Sequence, residues 1–420
     1  MTYYSPPAGG PGVQRWLYFA SYFPEFGIEP VIYAPENPRY PITDPGLEDQ
    51  VPSDLRIYKK EIWEPYQLAG WISPRKTRRI SAGIINRARP SAIERLLLWI
   101  RGNFFIPDAR KYWIAPSVKF LSGILEREGI NTVITTGPPH SMHLIGLALK
   151  EKMGIRWIAD FRDPWTSIGY HSALFLGKKA RKKHKSLEMS VLRGADAVIT
   201  TSEHTRKEFR GITSRPVHVI TNGYSTRLNQ SGQPEGGFKM AHIGSLLSGR
   251  NPVSLWKALN ELVQKHADFR RDLEIELTGV VSEEILQSIK EYGLEPYLIK
   301  NSYVPHERAL ELQRSAQVLL LLEIDAPETV GIIPGKIFEY MAASRPVMAI
   351  GPPEWEAGEL VENAGFGAAF HHDEKDAIQA KIVSWYREYQ KGVLKVAGAG
   401  VARYHRRALT ERLVKEVLWV

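Results

Sequence analysis

Cysteine is absent from the 420-residue chain, which excludes disulfides, thiolate nucleophiles and thiolate metal sites at the outset. Long apolar runs are missing too. The longest candidates, residues 318–322 and 96–100, reach the length of a core strand or helix, well short of the roughly 20 residues needed to cross a bilayer. The opening MTYYSPPAGG has no basic region followed by an apolar stretch, so no secretory signal is expected and a cytoplasmic location is the default. No low-complexity tract or repeat of fixed period occurs either. What is present, with 24% charged and 10% aromatic residues, 34 Gly and 28 Pro, is a globular composition. At roughly 100–200 residues per domain, the length points to two domains or more.

Acidic residues are in short supply in one half only. Lys plus Arg number 55 against 46 Asp plus Glu, a formal charge of +9. Residues 1–222 hold 32 basic and 20 acidic side chains, and residues 223–420 hold 23 and 26, so the first half is +12 and the second −3. Much of the excess lies between Arg75 and Arg193, with a dense run at Lys178, Lys179, Arg181, Lys182, Lys183 and Lys185. An anionic partner accounts for such a run, and so does a solvated helix face.

Short apolar runs rich in β-branched residues recur at 30–34, 132–136, 156–160, 197–201 and 217–221, separated by stretches of amphipathic spacing such as 145–152. That alternation predicts a parallel sheet flanked by helices. A second series, at 239–243, 274–278, 317–322 and 346–350, predicts another α/β unit in tandem. The polar stretch 226–237 (TRLNQSGQPEGG) after Asn222-Gly223 has the composition of a surface connection, which places the seam there. The domains read as 1–225, 238–400 and a C-terminal helix, 401–420, with Leu409, Leu413, Val414, Val417 and Leu418 on one face. At the start only Met1 to Tyr4 precede Pro6-Pro7, so a short or partly missing first strand is expected, and an in-frame apolar extension upstream in the gene would support that.

Four motifs could carry chemistry. In SPPAGGPGVQRW, Gly9, Gly10 and Gly12 precede a helix, where glycines let backbone approach a ligand and a helix start favours anions; Arg15 lies just inside. It is not GxGxxG and lacks the acidic partner of dinucleotide sites. In TTGPPHSMHLIG a strand runs into a Gly-Pro-Pro turn with His140 at the next helix, where ligands of open α/β sheets bind; His143 reads as structural, and no third ligand makes a zinc site. In IADFRDPW, Asp160, Arg162 and Asp163 follow a strand, and either internal ion pairing or substrate contact explains them. None of this is an Asp-x-Asp metal motif. In GIIPGKIFEYMAASRPVMAIG, the loop Gly331 to Gly335 with Lys336 suits a diphosphate at a helix start, and Glu339 one turn on could accept hydrogen bonds from ribose hydroxyls.

Taken together, PPAGGPGVQRW, TTGPPHS, ADFRDPW, ITNGY, HIGSL followed by Arg250-Asn251-Pro252, and PGKIFEYMA resemble the family 4 class of GT-B glycosyltransferases, in particular a bacterial subgroup associated with cell-surface polysaccharides. The resemblance spans nearly the whole chain. It implies an α/β GT-B fold, two tandem Rossmann-like domains with parallel sheets facing a central cleft and a C-terminal helix returning to the first. It further implies a retaining, metal-independent hexosyltransferase with no cofactor beyond its nucleotide diphosphate sugar co-substrate, an acceptor-binding first domain and a donor-binding second. Gly244 and Ser245 would lie by the donor phosphates with Arg250, Lys336 and the amides around Gly335; Glu339 would hold the ribose; Ser302, Tyr303 and Val304 would flank the base. Gly10 or Gly12 would approach the donor, and His140 would stand nearest the transferring sugar. Arg15, Asp160, Arg162 and Asp163 remain acceptor or cleft candidates. Where such enzymes commonly carry a second glutamate, this chain has Gly331, with Glu328 three residues earlier. A nucleotide-sugar epimerase or hydrolase on the same fold is the rival enzyme reading, and a nucleic-acid-binding protein the rival from another class, although no recognised reader motif is present. The acceptor is expected to be a carbohydrate or lipid-linked carbohydrate, and the basic first domain to face an anionic membrane surface from the cytoplasmic side.

Overall fold

A computed structural model describes residues 1–40, 43–64, 92–172, 174–225, 236–396, 398 and 400–419. Most of the polar stretch 226–237 and the basic positions Arg75 to Arg89 lie outside the described residues. The chain divides into two compact units, Met1–Asn222 with Arg406–Val420, and Gly223–His405.

The first unit contains α1 (Pro11–Tyr22), β1 (Val31–Pro35), β2 (Arg56–Lys60), α2 (Ala92–Phe104), α3 (Ile114–Glu128), β3 (Thr132–Gly137), α4 (Ser141–Met153), β4 (Arg156–Phe161), α5 (Gly169–Ser172), α6 (Lys178–Gly194), β5 (Ala197–Thr200), α7 (Glu203–Arg210) and β6 (Val217–Val219). The second contains β7 (Phe238–Ile243), α8 (Val253–Lys265), α9 (Ala267–Asp272), β8 (Leu273–Thr278), α10 (Glu283–Glu291), β9 (Leu298–Asn301), α11 (His306–Ser315), β10 (Val318–Leu322), α12 (Lys336–Ala342), β11 (Val347–Gly351), α13 (Glu356–Asn363), β12 (Gly367–His371) and α14 (Lys375–Gln390). Helix α15 (Arg406–Leu413), continued by a π turn Val414–Leu418, then belongs to the first unit.

In the first unit β3-β4-β5-β6 form a parallel sheet and β1-β2 a parallel pair. Residues 1 and 2 join the two: Thr2 N–H donates to Tyr33 O at 3.0 Å, and Thr136 N–H donates to Met1 O at 3.2 Å. The stub before Pro6 thus takes the place of a first strand with a few backbone bonds. Period-2 alternation sorts β4 onto two faces, as a doubly covered parallel sheet requires. Trp157, Ala159 and Phe161 enter the core under α3 and α4, and Ile158 enters the opposite core. The second core is closed by α15, whose Leu409, Leu413, Val414 and Val417 are buried against Trp16, Phe19 and Phe23. Arg156 donates to Val417 O and Leu418 O at 2.6 and 2.5 Å, satisfying carbonyls that the end of the helix leaves open.

The second unit has one six-stranded parallel sheet in the order β12-β11-β10-β7-β8-β9. Along β10, Val318, Leu320 and Leu322 enter one core and Leu319 and Leu321 the other, so both faces are dry. Each such leucine is worth about 1.5–3 kcal/mol on burial, which is how VLLLL comes to lie at the centre of the sheet. Successive strands add outward from β7 on one side and from β10 on the other. The order reverses between β7 and β10, and the carboxyl ends of those two strands are where open α/β sheets bind ligands.

Candidate functional site

At that switch point β7 ends in Gly244-Ser245 and β10 in Glu323, and the start of α12 brings in Lys336. Gly244 has φ +121°, and a Cβ there would stand 2.9 Å from Lys336 Nζ. The glycine is required twice, by its backbone and by the ammonium lying on it. Lys336 Nζ is 3.1 Å from His242 Nε2, while His242 Nδ1 lies 2.9 Å from Leu320 O. A carbonyl only accepts, so Nδ1 carries the proton and Nε2 offers its lone pair to the ammonium. Burial, then the Lys336 charge, hold His242 neutral and well below the usual histidine range. Burial and neighbouring Arg250 lower Lys336 to about 8, with Glu323 and Glu339 acting in the opposite direction.

Arg250 is the second cation. Its Nε and Nη2 both donate to Glu323 Oε1, at 2.9 and 2.8 Å, and the Ile324 amide donates to the same oxygen at 2.9 Å. Glu323 is buried whereas Arg250 is 29% exposed, so the carboxylate anchors a guanidinium whose remaining edge is presented outward. Glu339 accepts from Gln313 Nε2 at 3.1 Å and lies 4.0 Å from His306 Nε2. The loop Gly331 to Gly335 is pinned by Trp355, whose indole N–H donates to Ile332 O at 2.8 Å, and by the Ile332 amide on Thr329 O. Helix α12 differs from the expectation of open first-turn amides: it is seven residues long, and the Ile337 and Phe338 amides already donate to Pro334 O and Gly335 O. Positive charge here therefore rests on the Lys336 and Arg250 side chains. Glu328 is exposed in a short turn, Gly331 is half-buried, Tyr303 is 73% exposed and Val304 is partly covered.

In the first unit the three N-terminal motifs meet. Arg162 Nη1 donates to Gly12 O at 3.0 Å, its Nη2 donates to Pro138 O, and its backbone amide donates to Gly137 O at 3.0 Å. A Cβ at Gly12 would lie 2.3 Å from Arg162 Nη1. Gly12 is thus explained by the arginine beneath it, and Gly10 by its φ of +100°. Asp160 accepts from Arg15 Nη2 at 2.8 Å, Trp16 Nε1 at 2.7 Å and Thr136 Oγ1 at 2.7 Å, and is fully buried. Burial opposes its ionisation, but the Arg15 charge and these hydrogen bonds outweigh it and hold the carboxyl below its usual range. Arg15 is buried as well and also donates to Thr221 O at 2.8 Å. Of the two explanations open for these residues, the internal ion pair is the observed one for Arg15 and Asp160: neither presents a group to an acceptor. Burial raises Asp163, with Arg162 pulling it down.

His140, expected to stand nearest the transferring sugar, is buried in the first unit. Its ring is 3% exposed and lies face to face on Trp165, centroids 4.6 Å apart, with both nitrogens buried and lacking a hydrogen-bond partner among the described residues. Burial, then His143, His171, Arg162 and His184, keep it neutral. His143 is structural: Thr135 Oγ1 lies 2.9 Å from its Nδ1, and Trp157 Nε1 donates to the same hydroxyl. Sequence reasoning missed His242 and Glu323. The first stands two residues before the glycine of HIGSL and the second directly after VLLLL, and a polar residue at the end of a buried strand was the signal available for both.

Two α/β units built on parallel sheets, the second with a pair of cations at its switch point, define the GT-B class of glycosyltransferases. The sequence profile of Glycosyltransferase Family 4 matches residues 12–228, just over half of the chain, and the protein belongs to that family and is a glycosyltransferase. Among solved structures, it is similar to a glycosyltransferase from Rickettsia africae (12% identity, 100% of this chain and 98% of that one, TM-score 0.62). It is also similar to HepE of Anabaena, solved with UDP (13%, 100% of both chains, TM-score 0.61) and with UDP-glucose, and to the lipopolysaccharide outer core galactosyltransferase WaaB (13%, 99% and 98%, TM-score 0.59). At these identities the likeness is one of fold. No curated protein matches the sequence.

Proposed function

We propose that this glycosyltransferase moves a sugar from a nucleotide diphosphate sugar to a carbohydrate or lipid-linked acceptor in cell-surface polysaccharide assembly, with retention at the anomeric carbon and without a metal ion. The observation that carries the donor reading is the pair Lys336 and Arg250 at the β7/β10 switch point, each backed by a buried side chain, His242 and Glu323. In the transfer, the bond from the anomeric carbon to the diphosphate oxygen breaks, the acceptor oxygen replaces it, and the acceptor proton leaves with the diphosphate. Negative charge therefore grows on the departing group. Two preorganised cations meet that charge without reorganising, and each such donor is typically worth about 10²–10³ in rate. Gly244 leaves the space for a phosphate beside the ammonium, Ser245 supplies a further donor, and Glu339 exchanges Gln313 for ribose hydroxyls. Tyr303 and Val304 lie beside the base, Gly10 and Gly12 serve the sugar, and Arg162 and Asp163 hold the acceptor-side loops. UDP and UDP-glucose, which HepE binds in its solved structures, are the first donors to try.

The test is a panel of UDP- and GDP-sugars with candidate acceptors, products read by mass and the anomeric configuration by NMR, with and without chelator. Lys336→Ala is expected to lower kcat about 10²-fold, and Glu339→Ala to raise donor KM with a smaller change in kcat. Wild-type turnover in both variants overturns the site, and free nucleotide diphosphate without glycosylated product points to a hydrolase instead.

A further inference from the structure

The two cations at the switch point are backed by unlike groups. Arg250 lies on a carboxylate, Glu323, whereas Lys336 lies on the uncharged ring of His242. The histidine stands where two strands part. Paired register between β7 and β10 covers Met240 with Val318 and Ala241 with Leu319, and one residue further on the imidazole itself takes the next carbonyl, Leu320 O. That bond fixes the ring and its tautomer together: with the proton on Nδ1, the lone pair of Nε2 faces Lys336 Nζ at 3.1 Å. His242 is 1% exposed, so its nitrogens have no water to turn to instead.

An ammonium carries three N–H groups on an Nζ that turns freely. Giving one of them to a fixed acceptor stops that rotation and sets the directions of the other two, while Gly244 keeps open the space beside Nζ that a Cβ at 2.9 Å would fill. The charge of the acceptor matters as much as its place. A carboxylate in the position of His242 would pair with the ammonium, as Glu323 does with Arg250, and compete with any anion for it. A neutral lone pair orients the ammonium and leaves its charge unspent. The other charged groups turned toward Lys336 act through their fields: Arg250, from the loop after β7, opposes its ionisation, and Glu323 at the end of β10 and Glu339 on the lysine's own helix favour it. Among the described residues, His242 is the group within hydrogen-bond distance of Nζ.

We propose that His242 is a positioning residue for the transfer, its Nε2 lone pair holding the Lys336 ammonium in the orientation that meets the donor diphosphate. This role rests on the donor site proposed above for its purpose. The imidazole touches no substrate and acts through the lysine. It also accounts for an amine that keeps its charge in a dry place: burial and Arg250 lower Lys336 to about 8, and a hydrogen bond accepted from the charged form favours that form against both.

The test uses the full chain without ligand, its lysines labelled with 13C and its histidines with 15N, followed by NMR from pH 6 to 10; the Lys336 and His242 signals are those missing from Lys336→Met and His242→Gln. In the wild type, His242 is expected as the Nδ1–H tautomer throughout, its Nε2 signal moving as Lys336 titrates near 8. The opposite tautomer, or an Nε2 signal indifferent to Lys336, overturns the proposal without recourse to any variant. His242→Phe keeps a flat ring and removes the lone pair, so Lys336 should titrate about one pH unit lower, a tenfold loss of proton affinity. His242→Gln places an amide oxygen at about the reach of Nε2 and should bring the midpoint back toward 8. A histidine that merely fills space predicts no movement in either variant, and an unmoved midpoint in His242→Phe, or no recovery in His242→Gln, overturns the positioning role. UDP calorimetry on the same preparations keeps the two proposals apart: absence of UDP binding while lysine and histidine titrate as expected sinks the donor reading alone, and UDP binding with the midpoint unmoved in His242→Phe sinks the role of His242 alone.

Discussion

Lys336 is poised to register the charge of whatever occupies its site. With its amine lowered to about 8 by burial and Arg250, the free enzyme begins to lose that proton just above neutrality. A diphosphate laid on Gly244 would raise it again, so binding takes up a proton wherever the free form has lost one. Donor affinity should therefore be flat from pH 6.5 to 7.5 and fall as pH rises through about 8, approaching tenfold per unit. His242 does not mimic this, being neutral throughout that range. Titration calorimetry with UDP across pH 7 to 9.5 measures it, and the slope should vanish in Lys336→Met. Persistence of the slope in that variant would remove Lys336 from the donor site. The lysine was legible in the sequence because it follows the loop Gly331 to Gly335 and opens a helix. Its acceptor was not, since a histidine at a strand end could equally be core filling, and only the lone pair facing Nζ distinguishes the two.

At the scale of elements, α15 is the part whose place in the fold is least local. It covers the sheet face formed by Ile158 and Ile199, and its Leu413 is fully buried in that core. Leu413→Ala should cost the first unit about 2–5 kcal/mol, by lost transfer energy plus the cavity left, and lower its unfolding midpoint while leaving that of Gly223–His405 unchanged. Two-transition calorimetry reads both, and a shift confined to the second unit would contradict the assignment. The apolar stripe at Leu409, Leu413, Val414 and Val417 was plain from helical spacing, though the spacing could not say which core receives it. Among strands the same limit appears. β7, β8, β10 and β11 stand out as apolar runs because both their faces are buried. β2, β9 and β12 are edge strands with half-exposed patterns, so RIYKK, LIKN and GAAFH carry no such run. Likewise Arg162 ties its own motif to two others through backbone carbonyls, partners that leave no mark on sequence.

For the molecule as a whole, charge and histidine burial both concentrate in one unit. With α15 returned to it, the first unit carries +14 and the second −5. The first also encloses a cluster in which His140 stacks on Trp165, Trp165 Nε1 donates to His184 Nδ1 at 3.1 Å, and the His171 ring meets His184 edge to face at 4.5 Å. Burial lowers all of these: His171 to about 4, nearby His143 to about 3, and His140 and His184 in the same direction. Unfolded, each would titrate near 6.5. Above that pH both states are neutral and stability does not depend on these groups. Below it the unfolded chain binds protons that the native cluster refuses, so stability falls as pH falls, by up to about 1.4 kcal/mol per unit for each histidine. Asp163 and Glu188, raised by burial, act oppositely in the acid range, but two carboxyls face four imidazoles. Protonated His184 would also lose the acceptor that Trp165 uses. The first unit should therefore unfold in mild acid, between about pH 6 and 5, at lower temperature than at pH 7.5. Near-ultraviolet circular dichroism melts across that range follow the buried tryptophans, and His171→Gln should flatten the pH dependence. A midpoint unchanged from pH 7.5 to 5 would mean that protons reach the cluster without cost, and the packing described for it would be wrong.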